Sequence, residues 1–231
     1  MSKKTYRVIQ WATGTIGKVA LRQFVENPAF ELVGVYVTNP EKVGRDAGDL
    51  IGAPPTGVIA TNDVDAILAL EADCVHFSPL VADVDMVCRL LRSGKNVVSP
   101  LGPFFPIERY RADWEKITAA AKDGGVSFHG SGIQPGYAGD ILPLTLTRLS
   151  ARIDQVRVYE IVDFSKEPQH WIEMMGFGRD LEEVKAKPSR SPEAGYYLSQ
   201  SMAMVATALG VRIEDITTEI QLAAATRDIV Y

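Results

Sequence analysis

Trp11-Ala12-Thr13-Gly14-Thr15-Ile16-Gly17 sets two glycines three residues apart, between a run of β-formers and a run with helical spacing. Glycine at such a junction brings backbone N–H groups against an anion. Gly14 lets the chain approach a pyrophosphate, and Gly17 lets the helix pack closely on the strand. Free N–H groups at the helix start, with the helix dipole behind them, favour the phosphate charge. The pattern departs from GxGxxG at its first position, where Ala12 stands. A dinucleotide held by Ala12, Thr13, Gly14, Thr15, Ile16 and Gly17 is the expectation; a tight turn without a ligand is the competing reading.

Ribose recognition is expected about 20 residues further on, where an acid binds the 2′-hydroxyl of NAD. Val37-Thr38-Asn39-Pro40-Glu41-Lys42 has no acid closing its strand, and Lys42 and Arg45 follow. Cations there suit a 2′-phosphate. The expected cofactor is NADP, with NAD possible, and Thr38, Asn39 and Lys42 are candidate contacts. Solvated loop charges are the alternative for Lys42 and Arg45.

In hydride chemistry the cofactor does the covalent work, while the protein orients substrate and moves one proton. Glu108 follows Pro106 in a loop that should face the nicotinamide, though it also suits a helix N-terminus. Of three histidines, His76 falls in a buried strand pattern and reads as a core or supporting residue. His129 stands at a strand end beside a glycine turn, where an α/β sheet opens its ligand crevice, and with Ser131 and Gly132 it joins the cofactor candidates. His170, near Trp171, Met174 and Met175, is either on a mobile loop covering the substrate or an ordinary surface histidine. No His/Cys/Asp cluster has metal-ligand spacing, so no metal is expected. No GxSxG or Cys–His arrangement points to covalent catalysis. Cys74 and Cys88 read as free thiols.

These residues need a scaffold, and the chain alternates two periods over its first 130 residues. Strands are expected at Tyr6–Ala12, Phe30–Val37, Cys74–Phe77, Asn96–Ser99 and Val126–Phe128, several almost continuously apolar, as strands buried on both faces tend to be. Helices are expected at Ile16–Glu26, Val64–Leu70, Val81–Ser93 and Arg109–Lys122. That rhythm means parallel pairing with right-handed crossovers, hence an α/β, Rossmann-type doubly wound sheet over residues 1–133. Ser78 and Pro79 fall just past one of these strands and join the cofactor candidates.

Residues 134–231 read as a smaller α+β domain for substrate and oligomerisation. Helices are expected at Gly139–Leu149 and Pro192–Leu209, with a charged, loop-rich stretch at Ser165–Pro192. Gln155–Phe164 alternates polar and apolar residues, as in a sheet with one open face. A second strand is expected around Thr217–Ala223, and Asp228–Tyr231 looks like the start of another, as if the domain were incomplete at its C-terminus.

With 231 residues, 46% hydrophobic and 23% charged, the composition excludes a disordered, collagen-like or coiled-coil chain. The net charge of −5 and pI near 5.3 argue against a nucleic-acid partner. No apolar run approaches the ~18–20 residues of a bilayer span, and no signal peptide is evident, so a cytoplasmic location without membrane contact is expected.

Val43-Gly44-Arg45-Asp46-Ala47-Gly48-Asp49-Leu50 resembles the Gly-x-Asp-Ala-Gly-Glu-Leu segment of the dihydrodipicolinate reductase family. The glycine loop is similar to that family's Gly-x-x-Gly-x-x-Gly turn. Ser99-Pro100-Leu101-Gly102 falls where the family carries its nicotinamide-side loop, which adds Ser99 and Gly102 to the cofactor candidates. His129-Gly130-Ser131-Gly132-Ile133-Gln134-Pro135-Gly136-Tyr137 resembles the GxGxNPGF segment of 2,4-diaminopentanoate dehydrogenase and related amine dehydrogenases. The reductases' His-His-x-x-x-Lys stretch is matched by Tyr159-Glu160-Ile161-Val162-Asp163-Phe164-Ser165-Lys166, without the histidine pair. The amine dehydrogenases' glutamate after the strand ending near Ser99 is replaced by Pro100-Leu101-Gly102-Pro103, with Glu108 the nearest carboxylate.

The resemblance implies an NAD(P)-dependent oxidoreductase working on a C=N or C–N bond of a small amine, imine or amino acid. Asp163 and Lys166 fall where the family binds substrate, and with Glu108 they are the catalytic candidates; an exposed ion pair is the alternative for Lys166. Reduction of a C=O or C=C bond, and nucleotide binding without turnover, are the alternatives. Because one face of Gln155–Phe164 would otherwise be left to water, the chain is expected either to be a fragment or to bury that face against a second copy, as a homodimer.

Overall fold

In the computed structural model, which describes residues 4–166, 169–186, 191–217, 219 and 221–226, β1 (Tyr6–Trp11) leads through the glycine turn into α1 (Thr15–Glu26) and β2 (Phe30–Tyr36). Then come α2 (Ala47–Ile51), β3 (Ala60–Thr61), α3 (Val64–Ala69), β4 (Cys74–Phe77), α4 (Val84–Arg92), β5 (Asn96–Ser99), α5 (Arg111–Gly124) and β6 (Phe128–Gly130). These make up the first of two compact units, Met1–Gly132; the second is Ile133–Tyr231.

The six strands form one parallel sheet in the order β3-β2-β1-β4-β5-β6. That is the doubly wound order expected from the alternating periods. It reverses between β1 and β4, the switch point outside which such sheets bind ligands. Two apolar layers cover the sheet. Ile9, Trp11, Val75, Phe77 and Val97 pack with Ile67, Leu90, Leu91 and Ile117 of α3, α4 and α5. Val35 and Val37 pack on the other side with Leu21 of α1 and Leu50 and Ile51 of α2. A register shift between Val8 and Ile9 skips Val33 of β2. Gly34, beside it, lies close to Leu70: an added Cβ would stand 2.5 Å from Leu70 Cδ1, so that side chain would have to move.

The second unit carries four helices among its described residues: α6 (Ile141–Thr147), α7 (Gln169–Met174), α8 (Leu181–Ala186) and α9 (Ser191–Ala208). Asp140, almost wholly buried, ties α6 to α9. It accepts hydrogen bonds from the Ile141 N–H (2.7 Å), the Gly136 N–H (2.8 Å) and Ser201 Oγ (2.8 Å). Ser165–Pro192, expected to be loop-rich, contains the short helices α7 and α8. Asp180 starts the latter by accepting from the Glu182 N–H at 2.9 Å.

The expected open-faced sheet is not formed among the described residues. Gln155–Asp163 has no strand hydrogen bonds, and Phe164–Lys166 is a 3₁₀ turn. Alternation supplies two side-chain faces, but a strand also needs a neighbour for its N–H and C=O groups, and no described segment pairs with this one. Of the second expected strand, residues 217, 219 and 221–223 are described and carry no strand. Asp228–Tyr231 lies outside the described residues.

Candidate functional site

Because every strand is parallel, the loops singled out in the sequence leave the sheet at one edge: Ala12–Gly14 after β1, Thr38–Lys42 after β2, Ser78–Pro79 after β4, Ser99–Gly102 after β5 and Ser131–Gly132 after β6. The β1 turn is the most sharply defined. Ala12 adopts φ +68°, the left-handed region that costs an L-residue about 1–2 kcal/mol. This is why the fingerprint has glycine here. The Ala12 carbonyl lies beneath α1, 2.1 Å from where a Cβ on Gly17 would stand, so Gly17 is required by contact with the turn. At Gly14, in contrast, an added Cβ would meet nothing within 4 Å. Gly14 faces open space.

Helix starts need acceptors for their first N–H groups. Asp46, Asp63 and Asp83 supply them to α2, α3 and α4. α1 begins at Gly14 with no side-chain cap and no acid in its first turn. Its first bonded amide is Lys18 N–H to Gly14 O, at 2.9 Å. The N–H groups of Thr15, Ile16 and Gly17 are thus left for an anion, with the positive end of the helix dipole behind them.

Past β2, Asn39 Oδ1 accepts from the Glu41 N–H at 2.9 Å and starts a 3₁₀ turn, Pro40–Lys42. Thr38 and Asn39 are exposed. Lys42 reaches back to the glycine turn, donating to Thr13 O at 2.9 Å and Thr13 Oγ1 at 3.1 Å. Burial, then the neighbouring charges of Lys18 and Arg45, hold the Lys42 ammonium below the ordinary lysine range. Among the described residues none of these three cations forms an ion pair. Positive charge is therefore concentrated beside the turn with no ion-pair partner among the described residues.

The other edge residues play supporting parts. Ser78 is buried, and its N–H and Oγ both donate to Trp11 O, at 3.1 and 3.2 Å, joining the ends of β1 and β4; Pro79 follows it. Buried Ser99 closes its loop by donating to Leu101 O at 2.8 Å, while its Oγ accepts from the Leu101 N–H at 3.1 Å. Gly102 and Gly132 have positive φ, +98° and +147°. The Ser131 N–H continues the ladder to Ser99 O at 2.8 Å. His129 is exposed on β6, in register with Val98.

Of the three catalytic candidates, Glu108 belongs to the first unit and Asp163 and Lys166 to the second. Glu108 is exposed at the start of the α5 segment and grips Arg111 through Nε and Nη2. That guanidinium holds its carboxyl below the usual range. Glu108 lines a cavity of about 520 Å³ with Trp114, Thr118 and Lys122 along α5, and no glycine-turn residue takes part. Asp163, in the second unit, is exposed, accepts from the Ser165 N–H at 2.9 Å, and is kept low in pKa by that bond. Lys166 ends the following 3₁₀ turn, and its side chain lies outside the described residues. His170 is in α7; its side chain is likewise outside them.

Two contributors escaped the sequence reading. Lys18 has no motif, only its place four residues after Gly14 in α1. Gln10 is fully buried and donates through Nε2 to Ala12 O at 2.7 Å; a lone amide between Ile9 and Trp11 was the available signal. The Asp46-Ala47-Gly48 segment has a structural role. Asp46 accepts from the N–H groups of Gly48, Thr56 and Gly57, and a Cβ on Gly48 would sit 2.1 Å from Pro54 O.

Known proteins are similar to this chain in sequence and in fold. Residues 8–100 match the family model for the N-terminus of dihydrodipicolinate reductase. An amine dehydrogenase of Streptomyces virginiae is 36% identical over 221 residues, 90% of this chain and 60% of its own length. A 4-hydroxy-tetrahydrodipicolinate reductase of Mastigocladus laminosus is 34% identical over 73 residues, 31% of this chain and 26% of its own. The chain thus spans 60% or less of these curated relatives. In fold it is similar to the solved amine dehydrogenase of Mycobacterium smegmatis, with a TM-score of 0.77 at 20% identity, over 91% of this chain and 63% of that one. Residues 8–100 are thus similar to the N-terminal part of dihydrodipicolinate reductases, and the chain over most of its own length to an amine dehydrogenase.

Proposed function

We propose that the chain is part of an NADP(H)-dependent oxidoreductase acting on a C–N or C=N bond of a small amine, imine or amino acid. The uncapped start of α1 behind the Ala12–Gly17 turn carries the cofactor half of this reading. The residues present fit a dinucleotide: Gly14 leaves open space for a pyrophosphate, and its charge would meet the free N–H groups of Thr15, Ile16 and Gly17. Lys18, Lys42 and Arg45 favour NADP over NAD, because a 2′-phosphate would neutralise charges that lack an ion-pair partner. When bound, the nicotinamide supplies or accepts the hydride.

The substrate half rests on the relatives named amine dehydrogenase and 4-hydroxy-tetrahydrodipicolinate reductase. Glu108 and Asp163, both held as carboxylates, are suited to fixing a substrate ammonium and ill-suited to donating a proton near neutral pH. His129, exposed on β6, is our candidate for the proton. Exposed Val156, Val158, Tyr159 and Ile161 support a second copy of the chain as partner.

Fluorescence titration with NADPH and NADH tests the cofactor; tighter NADH binding overturns the NADP assignment. Ketone-dependent oxidation of NADPH with and without ammonia tests the substrate, and ammonia-independent turnover overturns the C–N reading. No turnover of dihydrodipicolinate is expected, since Tyr159–Lys166 lacks the histidine pair.

A further inference from the structure

Gln10 is fully buried in β1, where an amide is stable only with its hydrogen-bonding groups satisfied. Its Nε2 donates to Ala12 O at 2.7 Å, to Ser78 Oγ at 3.0 Å and more distantly to Trp11 O at 3.1 Å. Its Oε1 lies 2.9 Å from His76 Nδ1. The shortest of these contacts falls on the carbonyl of Ala12, the non-glycine residue with positive φ. The same carbonyl is wedged under Gly17. In a trans peptide the C=O and the next N–H point opposite ways. Holding the Ala12 carbonyl inward therefore turns the Thr13 N–H away from Gln10.

We infer that Gln10 is the positioning residue of the nucleotide turn: its buried carboxamide locks the Ala12 carbonyl beneath α1, which lets an alanine serve where the fingerprint has glycine. This rests on the proposal that a dinucleotide binds at this turn. Gln10 touches no ligand itself and acts through Ala12.

The test is a cycle of Gln10→Met, Ala12→Gly and the double variant, each followed by NADPH fluorescence titration and by thermal unfolding without nucleotide. Methionine keeps the bulk and removes the donor. Glycine at position 12 takes up positive φ without the anchor. Gln10→Met is expected to weaken NADPH binding tenfold or more with Ala12 present, and threefold or less with glycine there. Equal losses in both backgrounds, or no loss in either, overturn the inference, because independent effects would add. If Gln10→Met fails to fold, the double variant decides: folded protein that binds NADPH supports the coupling, and a second failure overturns it. A wild-type chain that binds neither NADPH nor NADH would defeat the nucleotide reading alone. The unfolding cycle would still report whether Gln10 holds Ala12, additive changes in Tm counting against it.

Discussion

Nδ1 of His76 lies 2.9 Å from Oε1 of Gln10, and the rest of the Gln10 network decides which atom carries the proton. Nε2 of Gln10 faces the carbonyls of Trp11 and Ala12, which only accept. The amide oxygen must then face the histidine, and Nδ1 of the neutral imidazole donates. Burial lowers the His76 pKa to about 4, so the ring stays neutral in the folded protein at ordinary pH.

A pH dependence of stability follows. Unfolded, His76 takes up a proton near pH 6.5; folded, it does so near 4. Between these values the unfolded chain holds more protons, so stability falls as pH drops through 6.5 and the loss levels off below about 4. The full effect is on the order of 3 kcal/mol. His76→Asn keeps a donor for Gln10 and removes the titration, so urea unfolding of this variant should show a flatter profile between pH 6.5 and 4.5. A profile matching wild type would mean that other groups set it.

The two fingerprint glycines should separate into a binding residue and a packing residue. Gly14→Val adds its side chain to open space at an extended φ of −73°. It should leave thermal stability within about 0.5 kcal/mol of wild type and abolish NADPH binding. Gly17→Ala drives a methyl against the Ala12 carbonyl and should cost about 1–3 kcal/mol. Calorimetry alongside nucleotide titration checks the pair; a destabilised Gly14→Val would contradict the assignment.

The parallel sheet was legible because Val75, Phe77 and Val97 lie in short apolar runs set between helical repeats, a pattern that only burial on both faces explains. The glycine turn was legible for a related reason: Gly14 and Gly17 answer constraints local to one strand–helix junction. Gln10 was not, because its partners Ala12, His76 and Ser78 meet only once β1 and β4 are adjacent. Nor was the short β3, whose two residues Ala60 and Thr61 carry no period at all. At Gln155–Phe164 the alternation was read correctly as a pattern and wrongly as a strand, since pairing depends on a neighbour that the local sequence does not contain.

Nucleotide choice should divide between Arg45 and Lys42. Arg45 has one long contact, to Asp49 O at 3.4 Å, and can turn to a phosphate at little cost. Losing a charge-assisted hydrogen bond costs about 1.5–3 kcal/mol, so Arg45→Ala should weaken NADPH roughly 10- to 100-fold and leave NADH nearly unchanged. Lys42 also braces Thr13 in the pyrophosphate turn, so Lys42→Ala should weaken both nucleotides. Parallel titrations of each variant decide the matter. An equal loss of NADPH and NADH in Arg45→Ala would remove that residue from the 2′-phosphate site.

Val156, Val158, Tyr159, Ile161 and Val162 all have exposed side chains within seven residues, with Ile161 97% and Tyr159 81% accessible. Five exposed apolar side chains on a segment with no strand partner among the described residues present two demands at once: area that water solvates poorly and backbone groups open to pairing. Both are met if the same segment of a second copy lies alongside it. Size-exclusion chromatography with light scattering should therefore give a dimer of the 25.2 kDa chain. Tyr159→Lys with Ile161→Lys puts two charges into that stretch and should shift the protein to monomer without changing NADPH affinity, because the nucleotide turn belongs to the other unit. A monomeric wild type, stable at tens of micromolar, would show that the segment does not mediate self-association.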